Sequence, residues 1–257
     1  MINFAKLKKK QKMKILVCMS VVPDTTTKIS FTQNNTQLNR DGVQFIINPY
    51  DELSITRALE ITEQAGGSVT VIHVGPAAHD AVIRKALALG AQNAVRIDAD
   101  SFDGQFVAAQ ISQYAKDLGF DLIMTGRESI DYNSGQVCGL IAEHLNLPSV
   151  NVISTIEIQD GVATMTRDID GGKETLSAPL PLVVSAQKDL CEPRIPNMRG
   201  IMQARTKPLE VIPASEQAAQ SEYEQYESPK PKQAVRLIDA DKPEELVSIL
   251  KNEFKII

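Results

Sequence analysis

The chain has no tryptophan, only three cysteines and three histidines, and 5% aromatic residues among its 257 positions. Cys18, Cys138 and Cys191 lie far apart without a Cys-x-x-Cys pair. That excludes a zinc knot or disulfide framework and points to reduced thiols in a cytoplasmic protein. His73, His79 and His144 show no metal-ligand spacing and read as ordinary strand, loop and helix-surface residues. Positive charge is short as well. The net charge of -5 argues against nucleic acid as a main partner, because neutralising phosphates needs a basic face. No apolar run approaches the roughly 20 residues of a membrane span, so the protein is not expected to be integral to a membrane. Also missing are Gly-x-Gly-x-x-Gly, Gly-x-x-x-x-Gly-Lys-Ser/Thr and Gly-x-Ser-x-Gly. Their absence removes the standard dinucleotide loop, the P-loop and the nucleophile elbow.

What is present is a 43% hydrophobic composition, enough to bury one sizeable α/β core or one core with a smaller appendage. Lysines at 8, 9, 10, 12 and 14 followed by Ile15 to Val22 imitate a secretory signal. The run is rich in Val and Ile and ends at Pro23-Asp24 without a small-x-small cleavage site, so it reads as a first buried strand. Residues 1–12 are then a basic tail. From 13 to about 150, strands at Ile15 to Val22, Ser68 to Val74, Ala94 to Asp98 and Asp121 to Gly126 alternate with helices. The helices fall at Asp51 to Gln64, Ala78 to Leu89, Phe106 to Leu118 and Gly135 to Leu145. This alternation predicts a doubly wound, mostly parallel α/β sheet.

An insertion at 24–48 reads as a hairpin between Lys28 to Phe31 and Val43 to Ile47. After Pro148 the pattern becomes antiparallel β: Val150 to Gln159, Val162 to Ile169 and Lys173 to Ala186, with turns at Asp160-Gly161 and Gly171-Gly172. Cys191 to Arg205 shows no periodicity. Residues 214–233 read as a linker, and Glu244 to Phe254 as a short helix that must dock on something. The expected organisation is an α/β unit over 13–213, made of a parallel core at 13–150 and β additions with a loop at 151–213. An extended C-terminal arm over 214–257 follows.

In an open α/β sheet, ligands sit beyond the carboxyl ends of the strands where strand order reverses. Candidates are Cys18 to Pro23, Val74 to Pro76 and Thr125 to Val137. In the last, Ser134 and Gly135 precede a helix and could turn backbone N–H groups toward an anion. An ordinary N-cap by Asn133 or Ser134 explains the same spacing. No catalytic constellation emerges, and Cys138 is more often a packed thiol than a nucleophile.

The segment Arg167-Asp168-Ile169-Asp170-Gly171-Gly172-Lys173-Glu174-Thr175-Leu176, followed by Pro181 to Ser185, resembles the signature of electron transfer flavoprotein beta subunits. The likeness extends through Asn48 to Glu52, Arg84 to Ala91, Gly126 to Asp131, Glu192-Pro193-Arg194 and Ile201-Met202, and so covers most of Met13 to Pro213. It implies an adenine nucleotide hydrolase-like, Rossmann-type sandwich and an electron carrier in place of an enzyme. It also implies a heterodimer whose alpha subunit holds most of a redox-active FAD while the beta subunit buries AMP. On that likeness the AMP pocket falls on Cys18, Ser20, Asn48, Asp51, Val74, Gly126, Asp131, Asn133, Ser134, Gly135, Gln136 and Val137. Thr25 stands where the family has a tyrosine beside the flavin. Pro193, Arg194, Ile195, Pro196, Asn197, Met198, Arg199 and Gly200 resemble the loop that recognises dehydrogenases, with Met198 at the anchor position. Asp168 is placed to hold the flavin domain. The expected partners are the alpha subunit, acyl-CoA or other dehydrogenases that donate electrons, and a quinone oxidoreductase or other acceptor.

Two other readings compete. Bifurcating relatives hold a second FAD in place of AMP, but Tyr132-Asn133-Ser134-Gly135-Gln136 departs from their sequence at this loop, and Tyr132 is bulky. A stand-alone universal-stress-like ATP-binding protein or hydrolase would use the same kind of sheet, yet would have no need of the β additions, the loop or the arm.

Overall fold

The computed structural model describes residues 12–232 and 234–257; the basic tail, apart from Lys12, lies outside them. The chain divides into two compact units. One takes in the residues up to 29 together with 39–224, and the other 30–38 together with 225–257.

The first unit is built on a nine-stranded sheet. Its strands are β1 (Met13–Cys18), β6 (Gly67–Val74), β7 (Asn93–Asp98), β8 (Leu122–Gly126), β9 (Ser149–Gln159), β10 (Val162–Ile169), β11 (Gly172–Pro179), β12 (Leu182–Ala186) and β13 (Leu209–Pro213). Their order across the sheet is β11-β10-β9-β12-β8-β1-β6-β7-β13. Every pairing from β9 to β13 is parallel, and only β10 and β11 are added antiparallel. The centre of the sheet is covered on both faces, which is why its central parallel strands are continuous apolar runs. Along β1 the side chains alternate. Ile15 and Val17 enter a core on one face with Leu53 and Ile55 of α1 (Pro49–Ala65) and Val82 and Ile83 of α2 (Asp80–Leu89). Leu16 and Cys18 enter a core on the opposite face with Phe106 and Ile111 of α3 (Gly104–Ala115) and Ile141 of α4 (Val137–Leu145).

Chain direction reverses beside β1. The chain runs outward through β6 and β7, then returns by α3 to lay β8 against the other side of β1. Such a reversal is where open α/β sheets place their ligand crevice, here at the carboxyl ends of β1 and β8.

Four expectations need correction. The run Ile15 to Val22 is two strands, because the chain leaves β1 at Met19-Ser20 and β2 (Val21–Pro23) pairs instead with β5 (Phe45–Ile47). Lys173 to Ala186 is likewise two strands, parted at Leu180-Pro181. Beyond that break, the fully buried Leu182–Ala186 returns to the parallel core between β8 and β9, while β11 keeps alternating exposure at the sheet edge. The insertion is not one hairpin over 24–48. Its tip, β3 (Phe31–Thr32) with β4 (Gln37–Leu38), belongs to the second unit. Finally, the loop after Cys191 contains α5 (Met198–Ala204), whose Asn197 side chain caps it by accepting from Gly200 N at 2.8 Å. α5 lies so close to α2 that a Cβ on Gly200 would meet the Ala88 carbonyl oxygen at 2.4 Å, so the approach requires glycine.

In the second unit, Phe31 stacks on Tyr226 with centroids 4.8 Å apart, and Tyr226 N donates to Asn35 O at 2.7 Å. The three consecutive positive-φ residues Gln33, Asn34 and Asn35 form the hairpin turn. The expected C-terminal helix is α6 (Pro243–Asn252), with Ile249 buried and Leu246 exposed.

Candidate functional site

The carboxyl ends of β1 and β8 are tied together by one carboxylate. Asp51, in the first turn of α1 and only 3% exposed, accepts from Ser20 N through Oδ2 and from Gly126 N through Oδ1, both at 2.7 Å. It thereby ties the end of β1 to the end of β8. Asn48 extends the tie. Its Nδ2 donates to Glu128 O at 2.8 Å, its Oδ1 accepts from Ile130 N at 3.3 Å, and its own N–H donates to Ser20 O at 3.0 Å. Gly126 is obligatory, because a Cβ there would stand 2.3 Å from Asp51 Oδ1 and 2.7 Å from Tyr50 Cβ. Burial pushes the Asp51 carboxyl up to about 7, against the bonds from Ser20, Asn48 and Gly126 that favour the ion.

Beyond Gly126 the chain makes a tight loop. Ser129 N donates to Ser134 O at 3.1 Å, the Ser129 hydroxyl donates to Asp131, and Asn133 takes φ 51°. Burial raises the Asp131 carboxyl, only partly offset by the Ser129 hydroxyl. The helix then starts at Val137, not at Gly135. Its N-cap is Gln136, which makes no side-chain capping bond, so neither Asn133 nor Ser134 caps it. The first-turn amides of α4, which have no acceptor within the helix, open at this loop. The Gln136 side chain instead reaches across to α3, where a Cβ on Gly104 would meet it at 2.6 Å.

Ser20, Asn48, Asp51 and Gly126 are thus directly bonded, and Cys18 and Val74 end their strands in the core shared with α3 and α4. Asp131, Asn133, Ser134, Gly135, Gln136 and Val137 form the loop and helix entrance. The remaining candidates lie elsewhere. Thr25 occupies an exposed turn whose Asp24 accepts from Thr26 N at 2.9 Å. Asp168 is on β10, separated from β1 by β9, β12 and β8, and stands 3.7 Å from Lys173 across the hairpin. The segment 193–200 runs along α1: Arg194 grips Glu63 in a two-pronged pair at 2.6 and 2.7 Å, and its N–H donates to Thr56 Oγ1 at 3.2 Å. Ile195, Pro193, Asn197, Met198 and Arg199 are exposed, and Ile195 and Met198 strongly so at 91% and 75%. Pro196 and Gly200 are partly covered.

None of the three free thiols has the low pKa a nucleophile needs. Burial raises Cys18 well above the usual range, Cys138 to about 12 and Cys191 to about 11. Among the described residues no cluster of His, Cys, Asp and Glu could hold a metal ion, and no helix is long and apolar enough to cross a membrane.

Two polar groupings were not legible as such. Buried Arg96 binds Asp80 at 2.7 Å, Asp98 at 2.5 Å and Gly75 O at 2.9 Å, and so fastens the carboxyl end of β7 to the start of α2. His73 Nδ1 meets Met19 O at 2.9 Å and its Nε2 meets His79 Nδ1 at 2.8 Å. A carbonyl can only accept, so His73 carries its proton on Nδ1 and receives the His79 proton at Nε2. Burial lowers His73 to about 4, despite the Met19 carbonyl. The two perturbed groups oppose each other in pH dependence. Folded Asp51 keeps a proton that the unfolded chain has lost, so its contribution weakens as pH rises from about 4 to about 7. Folded His73 refuses a proton that the unfolded chain takes, so its contribution weakens as pH falls from about 6.5 to about 4. In His73→Gln the second slope is expected to vanish. Denaturant midpoints between pH 4 and 6.5 should then decline with rising pH more steeply than in the unsubstituted protein.

The sheet, with its reversal of strand order beside β1, places this chain among the doubly wound α/β proteins, a class whose ligands sit beyond the carboxyl ends of the strands. The electron transfer flavoprotein domain model matches residues 35–217. The chain is 38% identical to the electron transfer flavoprotein subunit beta of Bacillus subtilis (strain 168), over 95% of this chain and 100% of that one. It is 35% identical to the subunit of the same name from Syntrophomonas wolfei subsp. wolfei, over 95% and 98%. It is 33% identical to the acryloyl-CoA reductase electron transfer subunit gamma of Anaerotignum propionicum, over 78% and 77%. The chain belongs to the electron transfer flavoprotein family, as a beta subunit, and is therefore part of an electron carrier and not an enzyme.

Proposed function

We propose that this subunit pairs with an alpha subunit carrying FAD, holds AMP in its own crevice as a structural insert, and docks electron-donating dehydrogenases so that electrons pass on to a quinone oxidoreductase or another acceptor. The observation that carries the AMP reading is the helix entrance at Gln136-Val137, whose amides have no side-chain cap and open beside Ser134 and Gly135. Such an entrance suits a phosphate, through the amides and the positive end of the helix dipole. The donor set fits a mononucleotide without any lysine. Asp51 has both carboxyl oxygens occupied by the N–H groups of Ser20 and Gly126. Cys18 and Val74 would floor the base, with Asn48 and Asn133 at the lips.

Bound FAD supplies the redox chemistry, and this chain's residues position what surrounds it. Thr25 would face the flavin from its exposed turn, and Asp168 would hold the flavin domain by a charge-assisted contact. Residues 13–213 would act as the nucleotide-holding base and 214–257 as the docking arm, in the cytoplasm, where unpaired thiols persist. The purified heterodimer is expected to release one AMP and one FAD on denaturation, read by chromatography against protein concentration. Two FAD and no AMP would overturn the reading in favour of a second flavin in the crevice. The likeness to a subunit of acryloyl-CoA reductase favours a second arrangement, in which the carrier serves one oxidoreductase as a resident component. A third chain that co-purifies in fixed ratio would select it.

A further inference from the structure

Three aromatic rings from separate parts of the chain meet over the entrances of α3 and α4. Phe102 stands just before Asp103, the N-cap of α3, and Tyr132 stands in the loop that leads to α4. Tyr223 comes from the segment after β13. The Tyr132 and Tyr223 rings stack with centroids 4.9 Å apart and planes 24° apart, while Phe102 lies 5.1 Å from Tyr132 and 6.3 Å edge-on to Tyr223. Arg40, paired to Asp100 by two 3.0 Å bonds, sits 5.8 Å from the Phe102 ring.

The segment that delivers Tyr223 is a strap fastened along α3. Ser215 N donates to Gln110 Oε1 at 2.8 Å, Gln220 N to Asp103 Oδ2 at 2.7 Å, and the Ser221 hydroxyl to Asp103 Oδ1 at 2.9 Å. Asp103 thus does two jobs, since the same carboxylate caps α3 through Gln105 N and Phe106 N. Exposure of Phe102 and Tyr223, at 44% and 46%, leaves the outer side of the cluster open to water.

We infer that Phe102, Tyr132 and Tyr223 form an aromatic cap that retains the mononucleotide in the crevice. This rests on the AMP reading above. Tyr132 is fixed to the same loop whose Ser134 and Gly135 open toward the phosphate, so displacement of that loop requires its ring to separate from Tyr223. Offset and edge-on aromatic pairs carry stabilisation beyond their buried area. Breaking them adds to the barrier for release. The cap makes nucleotide exchange slow without adding a single contact of its own to the phosphate.

The experiment uses the intact heterodimer. The half-time of AMP loss into a large excess of buffer is measured well below the melting temperature, for the unsubstituted protein, Tyr223→Ala and Tyr223→Phe. Hydrogen exchange of residues 129–134 is followed in parallel. In Tyr223→Ala, AMP loss should be about tenfold faster, the equivalent of about 1.4 kcal/mol, and exchange in 129–134 should rise. Tyr223→Phe, which keeps the ring, should behave like the unsubstituted protein. Equal release rates in all three would overturn the cap and leave the AMP reading standing. An unsubstituted heterodimer that holds no AMP would overturn both.

Discussion

Asp51→Ala should cost the first unit about 3 kcal/mol at neutral pH, more than any other single truncation at the crevice. The reason is geometric. Each of the two backbone N–H groups that Asp51 receives, from Ser20 and Gly126, is left without its acceptor, and an unsatisfied buried donor costs roughly 1–3 kcal/mol. Part of that loss is offset, because the variant no longer has to keep a desolvated carboxyl whose pKa stands at about 7. For a unit of this size, a loss of this magnitude lowers the melting temperature by about 10 °C. Asp51→Asn keeps one acceptor and turns an amide NH2 toward the other N–H, so its loss should be smaller and should lack the pH slope described for the carboxyl. Calorimetry of the two variants at pH 5 and pH 8 checks both statements. If Asp51→Ala melts within 2 °C of the unsubstituted protein, the carboxylate does not tie β1 to β8.

The parallel core was legible because burial on both faces leaves a strong trace in sequence. Ile15 to Cys18 and Leu122 to Gly126 are short apolar runs between helices with polar outer sides, and no other arrangement hides them as well. β12 left the same trace, but it followed an alternating strand without an intervening helix and so was read as that strand's continuation. The break is tertiary in origin: Leu182–Ala186 finds partners on β8 and β9 that no local pattern announces. α5 escaped notice for a different reason. Seven residues starting at Met198 are too few for a period to show, and the helix owes its existence to the Asn197 cap and the close approach of Gly200 to α2.

The crevice divides along the same line. Its location followed from strand order, and Asn48 and Asp51 followed from family likeness. Their task of holding Ser20, Gly126 and the loop at 128–130 depends on side chains that meet across the sheet. The aromatic cap was invisible for that reason too: Phe102, Tyr132 and Tyr223 are unremarkable singly and share no stretch of sequence. Arg194 belongs to the segment that resembles the dehydrogenase-recognition loop, yet its guanidinium is spent on Glu63 of α1.

That anchoring bears on the apolar residues beside it. Clamped to α1 by Arg194 and closed by the Asn197 cap, the segment holds Ile195, Met198 and Met202 out in water at 91%, 75% and 68% exposure. Apolar side chains fixed outward on a braced loop and helix are a ready surface for a partner, because little ordering entropy remains to be lost on docking. Methionine at the apex suits a carrier that meets pockets of more than one shape. Met198→Ala in the assembled heterodimer is therefore expected to lower the second-order rate of electron uptake from an acyl-CoA dehydrogenase about tenfold to thirtyfold, as truncation of an interface anchor worth about 2 kcal/mol does. Melting temperature should stay within about 2 °C, since the residue is already 75% exposed and little burial is lost with it. Met198→Leu should restore most of the rate. Stopped-flow reduction with several dehydrogenases separates the outcomes: unchanged rates with all of them would remove Met198 from docking, and a loss confined to one would make it a specificity element for that donor.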